Sequence, residues 1–152
     1  MSPIRVLYIM GYGRSGSTLL DTILGDHPEV ESVGELANLL RAWSNDEFCA
    51  CQRRAHKCPF WQEVWQRWEA SGEAGPEGYE ELQERYQRLR QLPRLALASL
   101  LSSKTLEDYR CKTKGLFEAV AAVSGKKVIV DSSKNPGRGL VLAGIPGLDV
   151  RL

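Results

Sequence analysis

The first patterned stretch, Ile4-Arg5-Val6-Leu7-Tyr8-Ile9-Met10, is apolar at nearly every position and rich in β-favouring residues. It predicts a strand buried on both faces, as in the middle of a parallel sheet. Beyond the glycines at 11 to 16, the segment Thr18-Leu19-Leu20-Asp21-Thr22-Ile23-Leu24 has helical spacing, and Gly25 and Pro28 end it. Val30 to Val33 predicts a second short strand, followed by a helix through Leu36, Leu39 and Leu40. The pattern then turns helical for a long stretch. Phe60, Trp61, Val64, Trp65 and Trp68 share one helix face, and Ser71 to Gly78 reads as a Gly/Pro/Glu linker. Tyr79, Leu82, Tyr86 and Leu89 mark the buried side of another helix, with Glu81/Arg85 and Glu84/Arg88 spaced as supporting i,i+4 pairs. Leu95 to Leu101 and Leu116 to Val123 predict two more helices. Lys127 to Asp131 returns to a buried strand, Asn135-Pro136 is a cap followed by proline at the first helical position, and Asp149 to Leu152 begins another strand. The layout is strand, loop, helix; a helical insert over about 44–123; then strand, loop, helix. It predicts one α/β domain over 1–152, with helices layered on a central parallel sheet.

Composition narrows the functional classes. Hydrophobic residues make up 43% and charged residues 26%, the balance of a folded globular chain rather than a disordered one. Twenty Lys and Arg against nineteen Asp and Glu leave a formal charge of +1, which argues against a nucleic-acid partner. No apolar run approaches the roughly 18 residues of a membrane span, so no membrane partner is expected. Residues Met1 to Met10 read as a strand rather than a signal peptide. Four cysteines in a chain of this length are no secreted disulfide framework, so a cytoplasmic location is expected.

The candidate chemistry starts at the first strand-to-helix junction. Gly11, Gly13 and Gly16 satisfy G-x-G-x-x-G, and the same stretch nearly satisfies G-x-x-x-x-G-K-[ST], with Ser17 in place of the lysine and Thr18 in its proper position. Glycines let the backbone turn and approach a phosphate, and the free N–H groups of a helix start hold the anion. A plain Gly-rich turn is the alternative, but Arg14, Ser15, Ser17 and Thr18 packed into it favour an anion. Without the lysine, a Mg²⁺-dependent ATP or GTP reading loses its central residue. A dinucleotide reading needs an acid about 20 residues on, and Glu35 meets that spacing. The polar helix start and the loop arginine suit phosphate or sulfate better.

Gly13-Arg14-Ser15-Gly16-Ser17-Thr18-Leu19-Leu20, continued by His27-Pro28 and Gly34-Glu35-Leu36, resembles the 5′-phosphosulfate loop of sulfotransferases. Asp131-Ser132-Ser133-Lys134-Asn135-Pro136 resembles a second segment of that family, and Cys49-x-Cys51 to Cys58-Pro59-Phe60-Trp61 resembles its bacterial members. The branch most similar includes tyrosylprotein sulfotransferases and bacterial relatives. The resemblance implies a P-loop-like three-layer fold that takes 3′-phosphoadenylyl sulfate (PAPS) as donor and passes its sulfuryl group to a hydroxyl or amine of a small molecule or peptide. It also implies that the residues holding the 3′-phosphate lie on and after the next strand, beyond Leu152, so that the chain is the N-terminal part of such a domain.

On this reading, Gly13, Arg14, Ser15, Gly16, Ser17, Thr18 and Ser132 bind the donor, while Arg14, Glu35 and Lys134 act on the reaction. Arg14 would clamp the phosphosulfate in a bidentate fashion, a placement otherwise unfavourable for a cation at a helix start. The hydroxyls of 15, 17 and 18 would add donors; ordinary N-capping explains at most one of them. Glu35 would be the general base, its plain alternative being an acid in the first turn of a helix. Lys134, at the carboxyl end of a strand, would neutralise the bridging oxygen as its bond to sulfur breaks.

Cys49, Cys51, His56 and Cys58 form C-x-C-x4-H-x-C. C-x-C is tighter than usual zinc-ligand spacing, and Arg53, Arg54 and Lys57 add repulsion, so reduced thiols or a redox pair are expected rather than a metal. His27 reads as a turn residue, Cys111 as a packed thiol, and the tryptophans at 61, 65 and 68 as a core stripe. The alternatives to sulfuryl transfer are a P-loop kinase or hydrolase, a non-catalytic nucleotide-binding module, and a Rossmann oxidoreductase.

Overall fold

In the computed structural model, which describes residues 3–12, 15–101 and 103–152, the N-terminal apolar run is strand β1 (Ile4–Met10). Helix α1 (Ser17–Gly25) follows it and leads to β2 (Val30–Ser32). After a 3₁₀ turn over Leu36–Asn38 come α2 (Leu39–Ser44), α3 (Pro59–Ala70), α4 (Tyr79–Tyr86), α5 (Leu92–Leu100) and α6 (Lys104–Ser124). The chain then re-enters the sheet as β3 (Val128–Lys134) and, after α7 (Pro136–Ala143), as β4 (Leu148–Arg151). The sheet order is β2-β3-β1-β4 and every pairing is parallel. This is the α/β fold expected from the alternation of strands and helices.

The topology puts a crevice in a defined place. From β1 the chain leaves through α1 toward β2, on the far side of β3; from β3 it leaves through α7 toward β4, on the far side of β1. Adjacent strands whose connections depart in opposite directions leave a gap between their outgoing loops, where open parallel sheets bind ligands.

Burial corrects one expectation. β1 is fully buried on one face, with Val6 and Tyr8 each 1% exposed, but Leu7 and Ile9 on the other face are half-buried. The strand covered on both faces is β3, buried without a break from Ile129 to Ser133. The thinner face of β1 has a cause in α1, which buries Ser17 and Asp21 and leaves Leu19, Leu20 and Ile23 outward. Its sheet-facing stripe is therefore polar, and Ser32 donates from its hydroxyl to Asp21 Oδ1 at 2.9 Å.

The opposite face is deeper. Helix α6 is 21 residues long, far beyond the segment 116–123 expected as helix. Its first half reads as polar because Lys112 and Thr113 lie on the buried stripe with Leu106, Tyr109 and Leu116. Both are accommodated locally: Lys112 donates from Nζ to the Glu73 carbonyl at 2.9 Å, and Thr113 donates from Oγ1 to the Tyr109 carbonyl at 2.7 Å. The 71–78 segment is correspondingly not a loose linker. Trp68 donates from Nε1 to the Ala74 carbonyl at 2.8 Å, and a Cβ on Gly115 would stand 2.5 Å from that oxygen, so α6 passes Ala74 at a distance only glycine permits.

Aromatic rings continue the core away from the sheet. Trp43 stacks on Trp65, Trp65 meets Trp68 edge-on, and Trp68 meets Tyr79, which packs in turn against Tyr109. Trp68 is wholly buried, as the core-stripe reading requires. Helix α4 stops at Tyr86, and the Glu84–Arg88 pair still forms at 3.7 Å across its end; the Leu89 side chain lies outside the described residues. Among the described residues no helix is long and apolar enough to cross a membrane.

Candidate functional site

Two segments meet at the carboxyl ends of β1 and β3. The first is the glycine turn after β1. Gly16, in the left-handed conformation at φ 78°, reverses the chain so that Ser17 opens α1; a side chain there would be strained. Gly13 and Arg14 lie outside the described residues. The hydroxyls do not behave as ordinary caps. Helix α1 has no side-chain cap at its N-terminus, and Ser15 donates from Oγ back to the Tyr12 carbonyl at 2.6 Å. Ser17 is 5% exposed, and its hydroxyl has no hydrogen-bond partner among the described residues. Thr18 is exposed. The start of α1 thus combines uncapped amides with a buried, unpartnered hydroxyl.

The second segment is the end of β3. Tyr8 pairs with Asp131 and Met10 with Lys134, so β3 holds one more residue than β1 over this interval. Such a bulge bends a strand and re-aims its side chains. Lys134 takes a left-handed backbone at φ 66°, uncommon for a residue with a side chain. Its Nζ lies 2.7 Å from Glu35 Oε1, and Asn38 donates from Nδ2 to Glu35 Oε2 at 2.7 Å. The two residues expected to act as base and cation are therefore an ion pair, joined across 99 positions of sequence.

Beneath this pair the polar groups are structural. Asp131 is fully buried and accepts from Arg138 Nε at 2.9 Å, while Arg138, also fully buried, donates from Nη1 to the Tyr79 hydroxyl at 3.1 Å. Burial disfavours the charge on Arg138, but the surrounding Tyr79 and Asp131 outweigh it and hold the guanidinium protonated. Ser133 donates its amide to Asp131 Oδ1 at 3.0 Å and shares its hydroxyl with the same oxygen, and that hydroxyl accepts from the Ala37 amide at 2.9 Å. Asp131 thereby ties β3 to the 3₁₀ turn after Glu35. Ser132 is buried and turned toward Asp21, whose carboxyl is raised first by burial, with the Ser32 and Ser132 hydroxyls opposing that shift. Tyr8 donates to the Asn135 carbonyl at 2.8 Å, and burial pushes its phenol well above the ordinary value.

The sequence reading missed Arg138, Asn38 and Ala37. Arg138 sits in Pro-Gly-Arg-Gly, where nothing local signals a buried cation, although an acid ending an apolar strand, as Asp131 does, asks for one. His27 is a turn residue as expected, its Nδ1 accepting from the Glu29 amide at 3.2 Å. Cys111 is exposed rather than packed. Of the four possible soft ligands in 49–58, the structure gathers Cys49, Cys51 and Cys58, whose sulfurs all lie within 4.8 Å of one another. His56 is turned away, its ring edge-on to Trp43 and its Nδ1 3.8 Å from Asp46 Oδ1.

A parallel sheet with a Gly-rich strand-to-helix turn at its switch point defines a P-loop-like α/β protein. A model of the sulfotransferase family matches residues 7–124, and the chain belongs to that family. The matched region contains the glycine turn, Glu35 and the cysteine loop; β3 with Lys134 follows it. No curated protein and no solved structure gives a significant match.

Proposed function

We propose that the chain supplies the donor-binding site of a PAPS-dependent sulfotransferase acting on a hydroxyl or amine of a small molecule or peptide. The observation that carries this reading is the start of α1, with its left-handed Gly16, uncapped amides and buried, unpartnered Ser17 hydroxyl. Such a cradle suits the 5′-phosphosulfate, with Arg14 and Gly13 completing it on the sequence argument. Ser17 stands at the Walker-lysine position, which disfavours a Mg²⁺-nucleotide kinase or hydrolase.

Sulfuryl transfer is an in-line displacement. The acceptor oxygen or nitrogen forms a bond to sulfur, the bond from sulfur to the bridging oxygen breaks, and adenosine 3′,5′-bisphosphate leaves. Glu35 takes the acceptor's proton. Lys134, held by the bulge and by Glu35, turns its charge to the bridging oxygen as negative charge builds there. The Glu35–Lys134 pair at 2.7 Å holds the two side chains together until substrate separates them. A cleft of about 390 Å³ adjoins this pair, lined by Asn38 and Asn135 together with side chains of α2 and α4 such as Arg41 and Gln83. It is the place for the acceptor. A larger cleft of about 750 Å³, between α2, α3 and the 72–81 segment, is lined by neither Asn38 nor Asn135, the residues that connect the smaller cleft to the pair. The four thiols are unpaired, which suits a cytoplasmic protein.

Calorimetry tests the reading. Adenosine 3′,5′-bisphosphate is expected to bind without Mg²⁺ and more tightly than ATP; tighter binding of Mg²⁺–ATP would instead favour the nucleotide kinase or hydrolase.

A further inference from the structure

The cysteine loop has no part in the reaction described above, yet it is the most organised cluster of reactive side chains outside the site. Phe48 and Arg54 pair as an antiparallel bridge, the Cys49 amide donates to the Arg53 carbonyl at 2.8 Å, and the Gln52 amide donates to the Cys49 carbonyl at 2.8 Å. The tight turn relies on Gln52 in the left-handed conformation at φ 64°. The turn closed by the Gln52-to-Cys49 hydrogen bond folds the C-x-C segment back on itself, so the spacing that looked too short still gathers both sulfurs into one cluster. Cys58 arrives from the other direction, buried at the N-terminus of α3 and followed by Pro59. Its sulfur lies 3.6 Å from that of Cys51.

We propose that Cys49, Cys51 and Cys58 form a zinc site, with three thiolate ligands and a fourth position filled by solvent. Tetrahedral Zn²⁺ with bonds of ~2.3 Å to sulfur places its ligands about 3.8 Å apart. The Cys51–Cys58 separation of 3.6 Å already has that value, and no sulfur is more than 4.8 Å from another. A disulfide would use two of the three sulfurs and leave the third without a role. The flanking cations, which argue against a metal when counted alone, change meaning once the thiols ionise. Three thiolates and one Zn²⁺ carry a net single negative charge, which Arg53 and Lys57 offset. Arg54 is already committed, its guanidinium over the Phe48 ring at 4.3 Å from the centroid and its Nη1 donating to the Asp46 carbonyl at 3.1 Å. Each ligand gives up its thiol proton to solvent on binding. The ion would pin the 48–54 turn to the start of α3, next to the Trp43–Trp65 stack.

The test reads metal, so it stands or falls separately from sulfate transfer. Protein purified under reducing conditions is expected to carry one zinc per chain by elemental analysis. After chelation, titration with Co²⁺ is expected to give thiolate-to-cobalt charge-transfer bands and the visible spectrum of a tetrahedral ion, both displaced by Zn²⁺. Cys51→Ser, at an exposed position, should abolish these bands while the far-ultraviolet dichroism stays that of a folded protein. Cys111→Ser and His56→Ala should retain them. Reduced, folded protein that develops no such bands overturns the proposal, as does a Cys51–Cys58 disulfide that forms at the same rate with Zn²⁺ as without it. Loss of the bands in His56→Ala overturns the three-sulfur ligand set.

Discussion

Ser17 shows how one hydroxyl separates stability from binding. It is buried without a hydrogen-bond partner among the described residues, so Ser17→Ala removes no native bond. Its effect on urea denaturation is expected within about 0.5 kcal/mol, or slightly stabilising. If the hydroxyl donates to the donor's phosphosulfate, the same variant loses a hydrogen bond to a charged group of about 1.5–3 kcal/mol, a roughly ten- to hundredfold weaker affinity for adenosine 3′,5′-bisphosphate by calorimetry. Glu35→Gln divides the other way. The nucleotide should bind almost as before, while turnover with PAPS and acceptor falls about 10²–10⁴-fold, the range for a positioned base.

At the scale of elements, the polar stripe of α1 has a pH signature. Burial raises the Asp21 carboxyl above its ordinary value of 3.8. The folded protein then holds a proton that the unfolded chain has released, so stability falls as pH rises from that value through the raised one and stays lower above it. Asp21→Asn keeps an oxygen to accept from Ser32 and removes the titration. The stability of the variant relative to the wild type, measured by urea denaturation across this range, should therefore increase with pH. Elements whose signal is local were legible in the sequence: β1, α1, β2 and β4 all appear within one or two residues of their expected places. The first half of α6 was not, because Lys112, Thr113 and Gly115 occupy positions that an apolar periodicity would need. They are explained only by contacts with Glu73, Tyr109 and Ala74, the first and last on another element.

For the whole molecule, the buried pair Asp131–Arg138 joins the sheet to α7 and, through Tyr79, to α4. Both partners are inaccessible, and Arg138 Nη2 already lacks a partner among the described residues. Asp131→Ala would leave a buried guanidinium without its counter-charge and is expected to cost about 3–5 kcal/mol, visible as a large drop in the denaturation midpoint. The motif around Asp131 was legible in the sequence, but its partner was not, and neither was the joining of Glu35 to Lys134, because only the sheet order brings those segments together.

The outward-facing Leu19, Leu20 and Ile23 leave α1 with little apolar grip on the sheet beneath it. A helix held mainly by two polar residues can detach locally at a free energy well below that of global unfolding. If its first turn is where the anion sits, only the docked fraction of molecules can bind, and apparent affinity is reduced by that fraction. Nucleotide affinity would then respond to substitutions on the underside of α1 that touch no ligand, and the bound anion would slow amide exchange along the whole helix rather than only at its start.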